Sequence, residues 1–477
     1  MKTKLLGSAL ALGLAAPLAA TAGGVSGGNA NSDWTIYGWQ NWSYEFVDND
    51  ERDIQRISNN AANIGFSASI DTGMSMGGQA IKANFRCEQF TFHNRFGGSG
   101  FFGFNDFCNR NSKISLSGAF GEFMIGQWLL PHNEMVAQWV DPFYDAGADS
   151  HTSIMGSIGR GTRFFNGGFG FDNGGGFGGA TQFGAAGFDC EDTGDGVGGP
   201  PDGILQPDEC GATGGAGGFG SANNAFNRRQ NGILQYWSPN INGFHFRIAT
   251  TNAQQDAGFE YFSGGNDISV VDANDESHEL DPRIWSTGIA YENTLANGDN
   301  VWLAATYELH DEWAAVDFAC SDSDDSSWRL AGRYIKQWGN GMFTRISAMY
   351  EDMEYEHEDC ARQDGALGGD VDLERSAWMV SGIQNFGNGF DFRFSYMDAD
   401  EYDCDNGVCN GISEDDTDAT AFNVGVFYTM PAGTELRVTY SEVDNEDNAQ
   451  YDFGISPAGV AVGDDLEMIA FGIVQWF

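Results

Sequence analysis

The chain has 477 residues, with 23 Lys and Arg against 68 Asp and Glu, a formal net charge of −45. So acidic a chain repels nucleic acid, because phosphate binding needs Lys and Arg at the surface. A mean hydropathy of −0.33 speaks against a helical membrane protein, and beyond the N-terminus no stretch approaches the ~20 apolar residues a spanning helix requires.

Residues 1–22 read as an export signal: Lys2 and Lys4 form the positive start, 5–16 the apolar run, and Ala20-Thr21-Ala22 the small-residue cleavage site. A membrane anchor is the alternative, for which the run is short. Residues 23–32 follow as a flexible start, and 33–477 as one strand-rich domain. Eight cysteines in an exported chain point to disulfides rather than metal thiolates. Their order offers a local pairing of Cys87–Cys108, Cys190–Cys210, Cys320–Cys360 and Cys404–Cys409, with other connectivities open.

Period-two alternation then recurs along the chain, the pattern of strands. In FHFRI, Phe244, Phe246 and Ile248 oppose His245 and Arg247. In VWLAATYELH, Leu303, Tyr307 and Leu309 oppose Trp302, Thr306, Glu308 and His310. FDFRFSY sets Phe390, Phe392, Phe394 and Tyr396 against Asp391, Arg393 and Ser395, and ELRVTYS sets Leu436, Val438 and Tyr440 against Glu435, Arg437 and Thr439. One aromatic face and one charged face is what lipid outside and water inside demand. Under this pattern a polar average is compatible with a membrane protein.

Short Gly, Asn or Pro turns fall at 71–78, 118–121, 238–243, 293–300, 338–341, 385–389 and 431–433. Longer stretches rich in Asp, Glu and Asn lie between them, such as SDSDDSS, EDMEYEHEDC and SEVDNEDN. Seven short turns alternating with eight long loops predict sixteen strands. Sorting of connections by length fits an all-β transmembrane antiparallel barrel, with short turns on one side and long loops on the other. A soluble sandwich or propeller has no reason for it. Residues 128–227 stand apart as a long third loop with a glycine-rich insertion at 167–184, read as linker.

Four segments resemble, in order, the first to sixth strands of the general porin family of Gram-negative bacteria: DWTIYGWQ (33–40), NIGFSASIDTGMSMGGQAIKANFRCE (63–88), RNSKISLSGAFGEFMIG (110–126) and RRQNGILQYWSPNINGF (228–244). Phe477, with Ile469, Phe471 and Ile473 on the same strand face, is similar to the terminal signal by which barrels enter the outer membrane, although Gln475 and Trp476 depart from the usual order. The resemblance implies a sixteen-stranded barrel in the bacterial outer membrane, a homotrimer amid outer-membrane lipid and lipopolysaccharide, with a third loop folded into the lumen as a constriction. It implies passive diffusion of small hydrophilic solutes, without a required cofactor.

On that template Glu134, Asp141, Asp145 and Asp149 are candidates for an acidic side of the constriction, against the alternative of a solvated loop. Strand parity points Lys82, Arg86, Arg247, Arg329, Arg333, Arg345, Arg393 and Arg437 inward, and Arg110 joins this basic wall at the start of the fourth strand. Opposed charges across a narrow pore orient dipolar solutes, whereas inward arginines paired with neighbouring carboxylates are scaffolding. Asn63, Met124 and Gln127 stand where the family carries arginine near the second and fifth strands. With so many loop carboxylates, the thinner basic cluster favours cations over anions, although solubility or adaptation to salt also accounts for an acidic excess.

DGILQPDE (202–209) looks like the second half of an EF-hand loop, with Asp202 and Glu209 as ligands and Asp192 and Asp195 upstream as further candidates for Ca2+. An ordinary Asp/Gly surface loop is the alternative. No nucleophile elbow, P-loop or two-histidine helix motif occurs, so the expected chain is not an enzyme and has no catalytic residues. Two other functions fit the same barrel. One is a substrate-selective channel; the other is a plugged barrel with a surface adhesin or divalent-cation-binding role.

Overall fold

The computed structural model describes residues 25–29, 31–49, 53–91, 108, 110–144, 150–157, 226–227, 229–252, 268–271, 277–280, 283–312, 321–360, 369–404, 408–409, 412–431, 433–454 and 458–477. Sixteen strands close into one antiparallel barrel. They are β1 Ser32–Asp48, β2 Asp53–Asn59 resumed as Asn63–Met76, β3 Gln79–Phe90, β4 Ser112–Gly118, β5 Gly121–Leu129, β6 Arg229–Trp237, β7 Phe244–Asn252 and β8 Arg283–Thr294. The second half is β9 Asn300–Asp311, β10 Asp322–Gly339, β11 Met342–Cys360, β12 Gly369–Phe386, β13 Phe390–Ala399, β14 Ala419–Thr429, β15 Thr434–Asn445 and β16 Leu466–Trp476. Each strand pairs with its neighbours in sequence, and β1 closes on β16 from Trp39↔Trp476 to Asp48↔Glu467. Closing β1 on β16 pairs the first and last strands of the sheet, the condition for spanning hydrocarbon with strands.

Two backbone details show how the chain meets this geometry. At the β10–β11 hairpin, Asn340 and Gly341 take φ of 53° and 79°, the left-handed pair that lets a tight turn follow the twist of its strands. At the seam, Gly38 and Phe477 exchange both backbone hydrogen bonds at 3.0 Å, and there β16 ends. Residues 32–36 of β1 pair with β2 on one edge and with Val25–Asn29 on the other. Val25–Asn29 belongs to the stretch expected to be a flexible start. It is a strand instead, because it fills the edge that the shorter β16 leaves open.

The outward face is apolar. Along β16, Ile469, Phe471 and Ile473 are about half exposed, while Met468, Ala470 and Val474 between them are buried. Leu303 and Tyr307 on β9, Phe390 and Phe392 on β13, and Leu436 and Val438 on β15 face outward likewise, as the alternation predicts. No helix among the described residues is long and apolar enough to cross a membrane.

The inward face holds more apolar surface than expected. Ala304, Ala331, Met349, Ala377, Met379, Met397, Ala421 and Met468 form one buried cluster with Met135, Val136, Val140, Ile154 and Met155 of the β5–β6 connection. Ala449, Tyr451, Phe453 and Val460 of the β15–β16 connection join the same cluster. Small and flexible side chains on the inward wall of β9–β16 thus accept two connections packed against them, and removing this surface from water stabilises the arrangement.

Candidate functional site

The β5–β6 connection begins after Trp128 and Leu129 have completed β5. Pro131 opens a short helix, α1 Pro131–Glu134, at a position where its missing N–H costs nothing. A second turn, α2 Ala137–Val140, and a 3-10 turn, His151–Ser153, follow. Side chains of the inward wall hold each piece. Arg345 on β11 and Ser381 on β12 both donate to the Val140 carbonyl, at 3.3 and 2.6 Å, and Arg393 on β13 donates to the Pro142 carbonyl at 3.2 Å. The backbone N–H of His132 donates to Ser286 at 3.0 Å, and Trp139 stacks on Trp302 of β9 at 5.6 Å. Burial and the nearby Arg329 hold His132 well below the ordinary imidazole range.

Both expected acidic residues that are described are engaged. Glu134 accepts from the Trp128 indole, 3.1 Å to each carboxylate oxygen, and pairs with Arg247 of β7, whose guanidinium also lies 4.2 Å from the Trp237 ring centroid. Asp141 accepts from the backbone N–H of Phe143 and His151 at 2.7 and 2.8 Å, with His151 Nδ1 at 3.0 Å. Asp145 and Asp149 lie outside the described residues.

The basic residues fall into three groups. Arg345 and Arg393 grip the β5–β6 connection as described. Arg393 is also paired with Asp391 and Glu435 at 3.2 and 3.1 Å. Arg333 sits over Trp139 at 4.7 Å and donates to Asn300 at 3.0 Å, with Glu292 at 3.5 Å. Arg437 donates to Asn41 at 2.7 Å across the seam.

A second group is fully buried. Glu351 of β11 lies between Arg329 of β10 and Arg375 of β12, 3.0 Å from Arg375, and accepts the Gly156 N–H at 2.6 Å. Arg329 also donates to Asn227 at 2.8 Å, and Arg375 to the Ile154 carbonyl at 3.1 Å. Every charge here has an opposite partner and further hydrogen bonds, as burial requires.

The third group lies on β3 and just before β4. Arg86 pairs with Glu88 and stands over the Tyr37 and Trp128 rings. Arg110 reaches the same Glu88 at 2.6 Å and covers Trp39. Lys82 shares the inward parity of Arg86 but is exposed, with no ion pair to a described residue.

Strand parity alone points to several residues outside the expected set. Lys113 of β4 pairs with Glu122 at 2.5 Å and lies 4.1 Å from the Trp237 ring centroid. Glu88, Arg375 and Ser381 equally alternate with outward residues. No spacing in the sequence indicates Tyr451, whose hydroxyl accepts from Arg375 at 2.9 Å.

Cys87 and Cys108 are disulfide-bonded. Cys404 is disulfide-bonded too, whereas the side chain of Cys409, its expected partner, lies outside the described residues. So do Cys190, Cys210, Cys320 and the Cys360 side chain, and all four candidate calcium ligands, Asp192, Asp195, Asp202 and Glu209. Among the described residues no three His, Cys, Asp or Glu side chains group as a metal site.

Similarity to known proteins agrees with this architecture. No curated protein matches the sequence. An anion-selective porin from Comamonas acidovorans shares the fold at a TM-score of 0.55, with 18% identity over 94% of this chain and 100% of that one. OmpF of Salmonella typhi gives a TM-score of 0.49 with 11% identity over 95% and 100%, and OmpT of Vibrio cholerae 0.49 with 11% over 94% and 99%. The profile of the Gram-negative porin family matches residues 9–448. The chain therefore belongs to the Gram-negative porin family, and its fold is that of an outer-membrane channel.

Proposed function

We propose that this protein is a water-filled channel for passive diffusion of small hydrophilic solutes, preferring cations and assembled as a homotrimer. The observation that carries the cation preference is the state of the inward arginines. Arg247, Arg329, Arg375 and Arg393 each face a carboxylate, and Arg345 is turned to a backbone carbonyl. Most of these guanidiniums are thus held by carboxylates rather than free, while the whole chain carries −45. Cations are then concentrated at the openings. The similar Comamonas acidovorans porin is anion-selective, and the exposed Lys82, with no ion pair to a described residue, is the group on which such a preference would rest here.

Single-channel conductance and reversal potential in a salt gradient test the proposal. Stepwise conductance with a cation-side potential supports it, and an anion-side potential overturns the selectivity. A second reading, a barrel closed to solutes, is favoured by the apolar packing of the β5–β6 and β15–β16 connections on the inward wall. Correctly folded but silent protein would establish that reading instead.

A further inference from the structure

The inward wall is unevenly covered. Thr306, Arg333, Ser347, Ser381, Ser395 and Asn423, all inward on β9–β14, are at most 5% exposed. On β1–β4 the inward residues Asn41, Ser43, Asn63 and Glu88 are buried too, but nearer the β2–β3 turn the wall opens: Asp33 and Lys82 are exposed, and Thr35, Ser67, Asn84 and Ser117 are partly so. This end of the β1–β4 wall is therefore one place where polar inward side chains reach water.

Four hydroxyls, those of Thr35, Ser67, Ser69 and Ser117, gather there. Thr35 and Ser67 are cross-strand partners, as are Ser69 and Asn84. The Asn84 carboxamide is used up in orienting its neighbours: it accepts from Ser69 at 2.9 Å and donates to Ser115 and Ser117 at 3.2 and 2.9 Å. Acting as acceptor, Ser117 keeps its own O–H to offer. Thr35 and Ser67 have both a donor and an acceptor to offer. Adjacent strands space these groups about 4.8 Å apart, within reach of neighbouring hydroxyls on one ring-shaped solute. Arg86 and Lys113 border the patch, and Asp33 and Glu122 in the same lining balance their charge, Glu88 being shared between Arg86 and Arg110. Thr35, Ser67, Ser69, Asn84 and Ser117, with Arg86 and Lys113, line an open cavity of about 380 Å3, within the roughly 300–1,000 Å3 range of small-ligand sites.

We propose that this wall is a binding subsite for uncharged polyhydroxylated solutes, sugars in chemical class, which would cross by exchanging hydrogen bonds with water for hydrogen bonds with Thr35, Ser67, Ser69 and Ser117. The inference rests on the open-channel function proposed above. A neutral solute is selected because fixed donors and acceptors face the cavity while the flanking charges cancel. Each exchange is nearly even in free energy, so the solute is held weakly enough to leave.

The experiment is solute block of single-channel current in the full-length trimer, with maltose compared against a polyethylene glycol of equal hydrodynamic radius. Maltose is expected to reduce the open current saturably and at lower concentration than the polymer. Thr35→Val and Ser67→Ala are each expected to weaken the block about fivefold, the loss for one neutral hydrogen bond, and Thr35→Ser to retain it. Block is scored relative to each variant's own open current, which also reports its folding. Equal reduction by maltose and polymer in conducting channels overturns the subsite and leaves the channel standing. Folded but silent trimers overturn both.

Discussion

Arg375 on β12 donates to the hydroxyl of Tyr451 at 2.9 Å, a contact across 76 positions that ties the β15–β16 connection to the wall. Through its other bonds Arg375 also holds the Ile154 carbonyl and Glu351, so one guanidinium joins two connections and two strands.

Tyr451→Phe removes one hydrogen bond to a charged donor and should lower unfolding stability by about 1.5–3 kcal/mol. Glu351→Gln should cost more, about 3–5 kcal/mol, because two buried guanidiniums lose their shared anion. Denaturant unfolding in detergent measures both, and equal losses would contradict this account of the network.

Glu134→Gln frees Arg247 from its carboxylate while leaving the Trp128 contact an acceptor. Reversal potential should move toward anions. The shift should shrink between 0.1 M and 1 M salt, as the screening length falls from about 10 Å to about 3 Å. An unchanged potential would mean that ions do not pass near Arg247.

In the β8–β9 turn, Asp299 accepts from the Tyr334 hydroxyl at 2.5 Å and from the Gln337 N–H at 3.0 Å, which holds its carboxyl down at about 2. A depressed carboxylate stabilises the fold above its unfolded value of about 3.9 and loses that contribution as pH falls toward the folded value. Melting temperature should therefore be lower in Asp299→Asn at pH 7, with the difference closing between about pH 4 and pH 2. A gap undiminished at about pH 1, below the folded value, would exclude the carboxylate as its cause.

The Cys87–Cys108 bond closes a segment with a sequence separation of 21. Replacing both cysteines with serine should cost about 2–4 kcal/mol by freeing the unfolded chain. Comparing unfolding of the variant with that of the reduced native protein checks this, since the two should agree.

Much of the barrel was legible in the sequence. The short turn around Asn340-Gly341, the facing of Phe390 against Asp391, and the inward parity of Arg393 are local properties, set by turn chemistry and a two-residue repeat. The Cys87–Cys108 pair was legible for the same reason, being near in sequence. Local pattern did not reveal that Val25–Asn29 forms a strand, since five residues that include two glycines carry no alternation. It is ordered by pairing with residues 32–36 of β1, a contact no local repeat announces.

By itself, the sequence determined how many times the chain crosses the barrel wall and which side chains face inward, because both depend on contacts within a hairpin. The tertiary structure alone decided what those inward groups meet. Glu134 reaches Arg247 across 113 positions, and Arg345 finds the Val140 carbonyl across 205, because closure brings the β5–β6 connection against the far wall. The physical reason is that facing follows from backbone periodicity, whereas charge pairing inside a closed barrel depends on which distant segment fills the space.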